Sequence, residues 1–234
     1  WLKRLRSSGS CVCVCANRRT VSVVSISTWR RMAPLVVGVA GPSGSGKSTL
    51  AKALAEELGG LYLPEDPAHF VLPHVPYASR DERYEAPSNV DWPAARRAVL
   101  EAVAGASEEQ GCQVVVVEHY LLLAEEGSLH DLIDRCVFLD PSYSIGEDET
   151  AMQMCMERRA ARSQRTDDEK THLRRYYKEV VWPYYQRYTA ARLDAVCPPP
   201  RSVRLDAAAP GESCLAEALS ACRRWLEEVA RGVS

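Results

Sequence analysis

Long apolar runs are missing from this 234-residue chain. No uninterrupted stretch approaches the roughly 20 residues a membrane-spanning helix needs, so no membrane partner is expected and the protein reads as soluble. Acidic residues are missing from positions 1–31, which carry seven Lys/Arg and neither Asp nor Glu. Cysteine is plentiful at nine, yet paired metal-ligand spacing is not. Cys11, Cys13 and Cys15 alternate, while Cys112, Cys136, Cys155, Cys197, Cys214 and Cys222 are scattered, as expected of reduced thiols in an intracellular protein. No internal repeat is present. No N-K-x-D-like stretch follows the fourth strand-like segment, which excludes a guanine-specific GTPase switch.

Of 29 basic residues, the first 31 positions take seven, leaving 22 against 31 acids in the remainder, a net charge of −9. An acidic body excludes nonspecific nucleic-acid binding, whose affinity rests on neutralising phosphates, although a local basic cluster can still hold a nucleotide. Residues 1–31 have the composition of an organellar transit peptide. The alternative is translated upstream sequence with Met32 as the true start. Either way residues 1–31 are expected to stand outside the fold, and residues 32–234, 46% hydrophobic over the whole chain, to form one α/β domain. The compartment is cytoplasmic, or organellar if the leader is a genuine address.

The most informative feature present is Gly41-Pro42-Ser43-Gly44-Ser45-Gly46-Lys47-Ser48, which fills every fixed position of G-x-x-x-x-G-K-[ST]. It follows the apolar, β-branched run Leu35–Ala40 and precedes residues 49–58, where leucine recurs every four positions as on one helix face. In that context the glycines let successive backbone N–H groups face one anion at a helix N-terminus. Lys47 reaches the β- and γ-phosphates and Ser48 Oγ ligates Mg²⁺. Residues 41–48 together with Thr49 are therefore the nucleotide-binding candidates, and ATP and Mg²⁺ the expected cofactors.

Four further segments read as strands: residues 61–63, 113–118, 136–139 and 202–205. The all-valine core of 113–118 lacks alternation, as in a parallel strand buried on both faces. Asp91-Trp92-Pro93 opens a helix through Ala104. Residues 64–90 read as a long irregular segment, and 147–192 as a charged helical region in which Arg158, Arg159, Arg162 and Arg165 keep near one face. A last helix carries Leu215, Leu219, Cys222, Leu226 and Val229 as its buried stripe. Strands alternating with helices predict a three-layer α/β fold of the P-loop NTPase type, with a mainly parallel five-stranded sheet and an arginine-rich helical lid around 147–170. Tyr176, Tyr177, Trp182, Tyr184, Tyr185 and Tyr188 are spaced as packing aromatics.

The phosphate loop, Glu65-Asp66, Val90-Asp91, Val117-Glu118-His119, the arginine cluster and Val181-Trp182-Pro183-Tyr184-Tyr185 together resemble the uridine kinase and nicotinamide riboside kinase group over about residues 33–230. The resemblance implies ATP- and Mg²⁺-dependent phosphorylation of a ribonucleoside 5′-hydroxyl, first nicotinamide riboside in NAD salvage, then uridine or cytidine. A catalytically weak, kinase-shaped binding module is the alternative from another class. By resemblance Asp66 is the general base and lies near Mg²⁺, Asp91 binds the ribose, and Glu118 holds Mg²⁺-bound water or substrate. Arg158 and Arg162 contact ATP phosphates, and Arg162 also neutralises charge developing in transfer. Arg159 contacts the substrate side. Where the family sandwiches its base between aromatics this chain has Val90 and Gln164, and Pro67-Ala68-His69-Phe70 follows Asp66. The substrate-facing positions are thus Asp66, His69, Val90, Asp91, Arg159 and Gln164. The base and the oligomeric state stay open.

Overall fold

Residues 5–7, 10–17, 20–25, 33–108, 112–124, 129–162 and 165–232 are described by the computed structural model. Leu5–Ser7 (β1), Ser10–Asn17 (β2) and Thr20–Ser25 (β3) pair antiparallel in that order, forming a sheet separate from the main one. This differs from the expectation that residues 1–31 carry no fold. The Cys-Val-Cys-Val-Cys alternation of β2 has the two-residue period of a strand.

The main sheet is built from Leu35–Ala40 (β4), Leu61–Leu63 (β5), Val114–Glu118 (β6), Arg135–Asp140 (β7) and Ser202–Asp206 (β8), all parallel, in the order β5-β6-β4-β7-β8. Between them run Lys47–Glu57 (α1), Trp92–Glu108 (α2), Asp148–Ala160 (α3), Asp167–Tyr176 (α4), Trp182–Tyr188 (α5) and Leu193–Val196 (α6), with Gly211–Ala230 (α7) last. Side chains of a strand alternate between faces, so β4 and β6 feed two cores at once. Leu35, Val37, Val39, Val114 and Val116 pack against α1 and α7, while Val36, Ala40, Val115 and Val117 pack against α2 and α3. The expected three-layer P-loop fold is what forms. The chain leaves β4 toward β5 and β6 on one side and later crosses to β7 and β8 on the other. This reversal opens a crevice at the carboxyl ends of β4 and β6.

Two helical expectations are corrected. Residues 147–192 are not one run: α3 stops at Ala160, and α4 starts afresh behind a capping box in which Thr166 Oγ1 accepts from the Glu169 N–H while the Glu169 carboxylate accepts from the Thr166 N–H. The T-x-x-E spacing was the available signal. Arg162 and Arg165 therefore lie beyond the end of α3, and the arginines do not share one helix face. A π-turn at Tyr177–Val181 then leads into α5, and this wider turn lies directly before Pro183, whose missing N–H a regular helix would leave uncompensated. In α7 the buried line is Cys214, Ala218, Ala221, Cys222 and Trp225, with Leu215, Leu219, Leu226 and Val229 only partly covered beside it. The small residues let the helix approach the sheet closely.

Trp225 is fully buried and donates Nε1–H to the Pro200 carbonyl at 3.1 Å. Trp225→Ala removes the largest side chain of that core and is expected to cost about 3–5 kcal/mol, read as a lower denaturant midpoint in equilibrium unfolding. A change under about 1 kcal/mol would show that α7 packs less tightly than described.

Candidate active site

The crevice is occupied by the phosphate loop that connects β4 to α1. Gly44 has φ +90°, and a Cβ there would stand 2.0 Å from the Cys155 carbonyl oxygen, so the loop lies directly under the lid helix α3. Only glycine satisfies both demands. Gly41, at φ +144°, meets the Leu139 carbonyl at 2.7 Å in the same way. Lys47 is buried, and its Nζ donates to the Pro42 carbonyl at 3.0 Å, curled over the loop. Burial pulls its pKa down, against the opposing attraction of Glu118 and then Glu65. Those two carboxylates offset part of the cost of burying the ammonium.

Glu118 ends the valine strand β6 and is 6% exposed. Ser48 Oγ donates to its Oε1 at 2.7 Å, and the Tyr62 hydroxyl to its Oε2 at 2.7 Å. These hard oxygens suit a Mg²⁺ ion held by a hydroxyl, waters and phosphates. Among the described residues no cluster of three or more His, Cys, Asp or Glu forms a protein cage for a metal, and Mg²⁺ in nucleotide sites does not require one. Next in the chain His119 is a buried structural ring, stacked on Tyr120 at 5.1 Å, with its Nδ1 accepting from the Leu121 N–H. Burial holds its pKa at about 3, so it is neutral.

The carboxylate that faces the crevice is Glu65, not Asp66. Glu65 lines a cavity of about 560 Å³ together with Lys47, Ser48 and Glu118. Its Oε2 accepts from the Tyr120 N–H at 3.2 Å, and burial pushes its pKa up to about 7, against the pull of Lys47. Asp66 is exposed, and its Oδ1 accepts from the Ala68 N–H at 2.8 Å, capping the short turn Pro67–His69. Asp66 is not among the residues lining the cavity, whereas its neighbour Glu65 is. The Glu65-Asp66 pair was visible in the sequence, but only the path of the chain after β5 chooses between them.

Asp91 is likewise exposed and accepts from the Ala94 N–H at 3.0 Å as the cap of α2. Val90 is a core residue that bridges Phe70, and neither it nor His69 lines the cavity. Gln164 lies outside the described residues. Arg159 is where substrate contact was expected: it lines the cavity and donates to Ser43 Oγ and, at 3.0 Å, to the Tyr77 hydroxyl. Arg162 borders both this cavity and a second one of about 460 Å³ formed by Gly44–Gly46, Thr49, Arg158 and the loop after β8. Arg158 donates to the Ala207 carbonyl at 2.6 Å, which ties the lid to that loop. Of the aromatics expected to pack, Tyr176, Tyr177, Trp182 and Tyr185 are buried, and the Tyr177 hydroxyl donates to the Ser43 carbonyl at 2.5 Å. Tyr184 and Tyr185 also border the cavity.

Unforeseen in the sequence were Tyr62, Tyr77, Arg80, Tyr84, Glu85 and Tyr120. Four of these sit in the irregular segment 64–90, which has no periodicity from which a facing direction could be read.

No protein-family model matches the chain. It is similar to a uridine kinase of Ligilactobacillus salivarius (strain UCC118), 25% identical over 181 residues, covering 68% of this chain and 81% of that protein. A uridine kinase of Deinococcus deserti is 32% identical over 134 residues, 48% of this chain and 64% of that one, a little under two thirds of its length. Among solved structures, a gluconokinase from Sinorhizobium meliloti 1021 superposes with a TM-score of 0.52 at 21% identity, over 86% of this chain and 98% of the other. The fold is that of the P-loop kinases. Among the described residues no helix is long and apolar enough to cross a membrane.

Gly44→Ala forces a Cβ into the Cys155 carbonyl and the backbone out of its left-handed conformation. Expected are a loss of about 1–3 kcal/mol of stability and weaker MgATP binding, read together by thermal unfolding with and without nucleotide. Unchanged unfolding and affinity would show that α3 does not press on the loop.

Proposed function

We propose that the protein transfers the γ-phosphoryl group of ATP to a hydroxyl of a nucleoside or sugar acceptor. The observation that carries this reading is the single cavity in which the phosphate loop, Lys47, the Ser48–Glu118 pair and the Glu65 carboxylate converge. Phosphoryl transfer asks mostly for positioning and charge neutralisation, and these groups divide that work. Backbone N–H groups of residues 44–48 and the ammonium of Lys47 hold the phosphates. Arg162, bordering both cavities, lies where a guanidinium meets charge spreading over the transferred group. When bound, Mg²⁺ supplies further neutralisation beside Ser48 and Glu118. Glu65 accepts the proton of the attacking hydroxyl, and its pKa of about 7 suits a base at neutral pH.

The second cavity, beside Thr49, Arg158 and the loop after β8, is the place for the adenosine half of the donor. For the acceptor, the resemblance puts nicotinamide riboside first, with a role in NAD salvage. The names of the relatives favour uridine instead. The cavity supports neither ribose binding by Asp91 nor an aromatic sandwich at Val90, so the acceptor is assigned as a hydroxylated small molecule of the nucleoside or sugar class.

The test is product formation from MgATP by residues 32–234 across a panel of nucleosides and sugars, with Glu65→Gln and Asp66→Asn in parallel. Glu65→Gln is expected to lower kcat by about 10²–10⁴-fold and Asp66→Asn to stay within about threefold of the parent. The reverse order would return the base to Asp66. No transfer to any acceptor, with MgATP still bound, would favour the binding-module reading.

A further inference from the structure

Guanidiniums cluster on one wall of the cavity. Tyr77 stands at its centre with three guanidiniums around its ring: Arg80 at 4.4 Å from the centroid, Arg165 at 5.4 Å and Arg159 at 5.9 Å. Arg159 has a counter-charge, since Glu85 lines the same cavity and feels Arg159 before any other cation. Glu85 is held there by the Tyr176 hydroxyl, which donates to its Oε1 at 3.0 Å.

Glu85 also feels Arg80, after Arg159 and before Lys47, but Arg80 and Arg165 differ from Arg159 in their hydrogen bonds. Neither makes an ion pair among the described residues: Arg80 donates Nε–H to the Val75 carbonyl at 3.0 Å, and Arg165 donates to the Arg159 carbonyl at 2.9 Å. The Arg80 guanidinium also lies 5.6 Å from the Tyr84 centroid, so two rings and a carbonyl hold its plane while its terminal nitrogens stay uncommitted. A guanidinium held at its Nε edge in the wall of the cavity, with its outer fork uncommitted, suits two-point binding of a carboxylate. The same arrangement repels a cationic base, because the aromatic face that would attract one is already covered by guanidiniums.

We infer that the acceptor carries a carboxylate, which Arg80 binds while a hydroxyl of the same molecule is presented to Glu65. This narrows the acceptor of the proposed phosphotransfer and rests on that reading. Two sources of such a group share the chemistry: a nucleoside with a carboxylated base, and an open-chain sugar acid.

Matched pairs that differ only in the carboxylate decide the matter: nicotinate riboside against nicotinamide riboside, orotidine against uridine, and gluconate against glucitol. Binding is titrated calorimetrically on the full chain in the presence of MgADP, so the readout does not depend on turnover. In at least one pair the carboxylate member is expected to bind more than about tenfold tighter, and the pair that shows the preference names the source. Arg80→Gln should bring that ratio to within about threefold while MgADP affinity and the neutral member's affinity are retained. Equal or weaker binding of the carboxylate member in all three pairs, or binding by none of the six, overturns the inference. So does a preference that survives Arg80→Gln. If that variant does not fold, the ratio in the parent protein decides alone. A carboxylate preference without turnover would sink the phosphotransfer reading only, and turnover of neutral acceptors without a preference would sink this inference only.

Discussion

A buried carboxylate that cannot be left unpaired organises this molecule. Glu118 stands at the end of a strand that is otherwise all valine, and taking its charge out of water is tolerable only with hydrogen bonds on both oxygens. Those bonds come from Ser48 at the start of α1 and Tyr62 in β5, so one side chain ties the phosphate loop, β6 and the strand at the sheet's edge together. The buried Lys47 next door completes the balance. The group that ties these elements together also lines the cavity beside Lys47 and Ser48.

The lid is coupled to the loop by equally specific contacts. The backbone of α3 touches Gly44 where no Cβ could fit, the Arg159 guanidinium and the Tyr177 hydroxyl both reach Ser43, and Arg158 reaches the loop after β8. Arg159 and Tyr77 join this lid to the irregular segment 64–90, which supplies many of the residues lining the cavity. The cavity is thus lined by residues from several separate stretches of chain. Preorganisation of that kind is what a transfer between two bound molecules requires.

Much of the donor side was legible in the sequence because its signals are local. Eight consecutive residues encode the phosphate loop, a run of valines encodes a doubly buried strand, and the alternation of strands with helices encodes the layers. The acceptor side was not legible for a physical reason. Glu65 and Asp66 are chemically near-equivalent neighbours, and only the turn after β5 sends one inward and leaves the other capping a turn in water. Asp91 caps α2, a role that the sequence offered beside sugar binding and that does not exclude it.

The sequence by itself determined the fold class, the phosphate loop, Lys47 and Ser48, and the strand that delivers Glu118, since each depends on periodicity or spacing within a few residues. Only the tertiary structure decided which carboxylate lines the cavity, which arginines share it, and that Tyr77, Arg80 and Glu85 border it. Those choices depend on contacts between segments as far apart as Ser43 and Arg159, held by packing against both faces of the sheet. Such contacts leave no periodic trace in the chain.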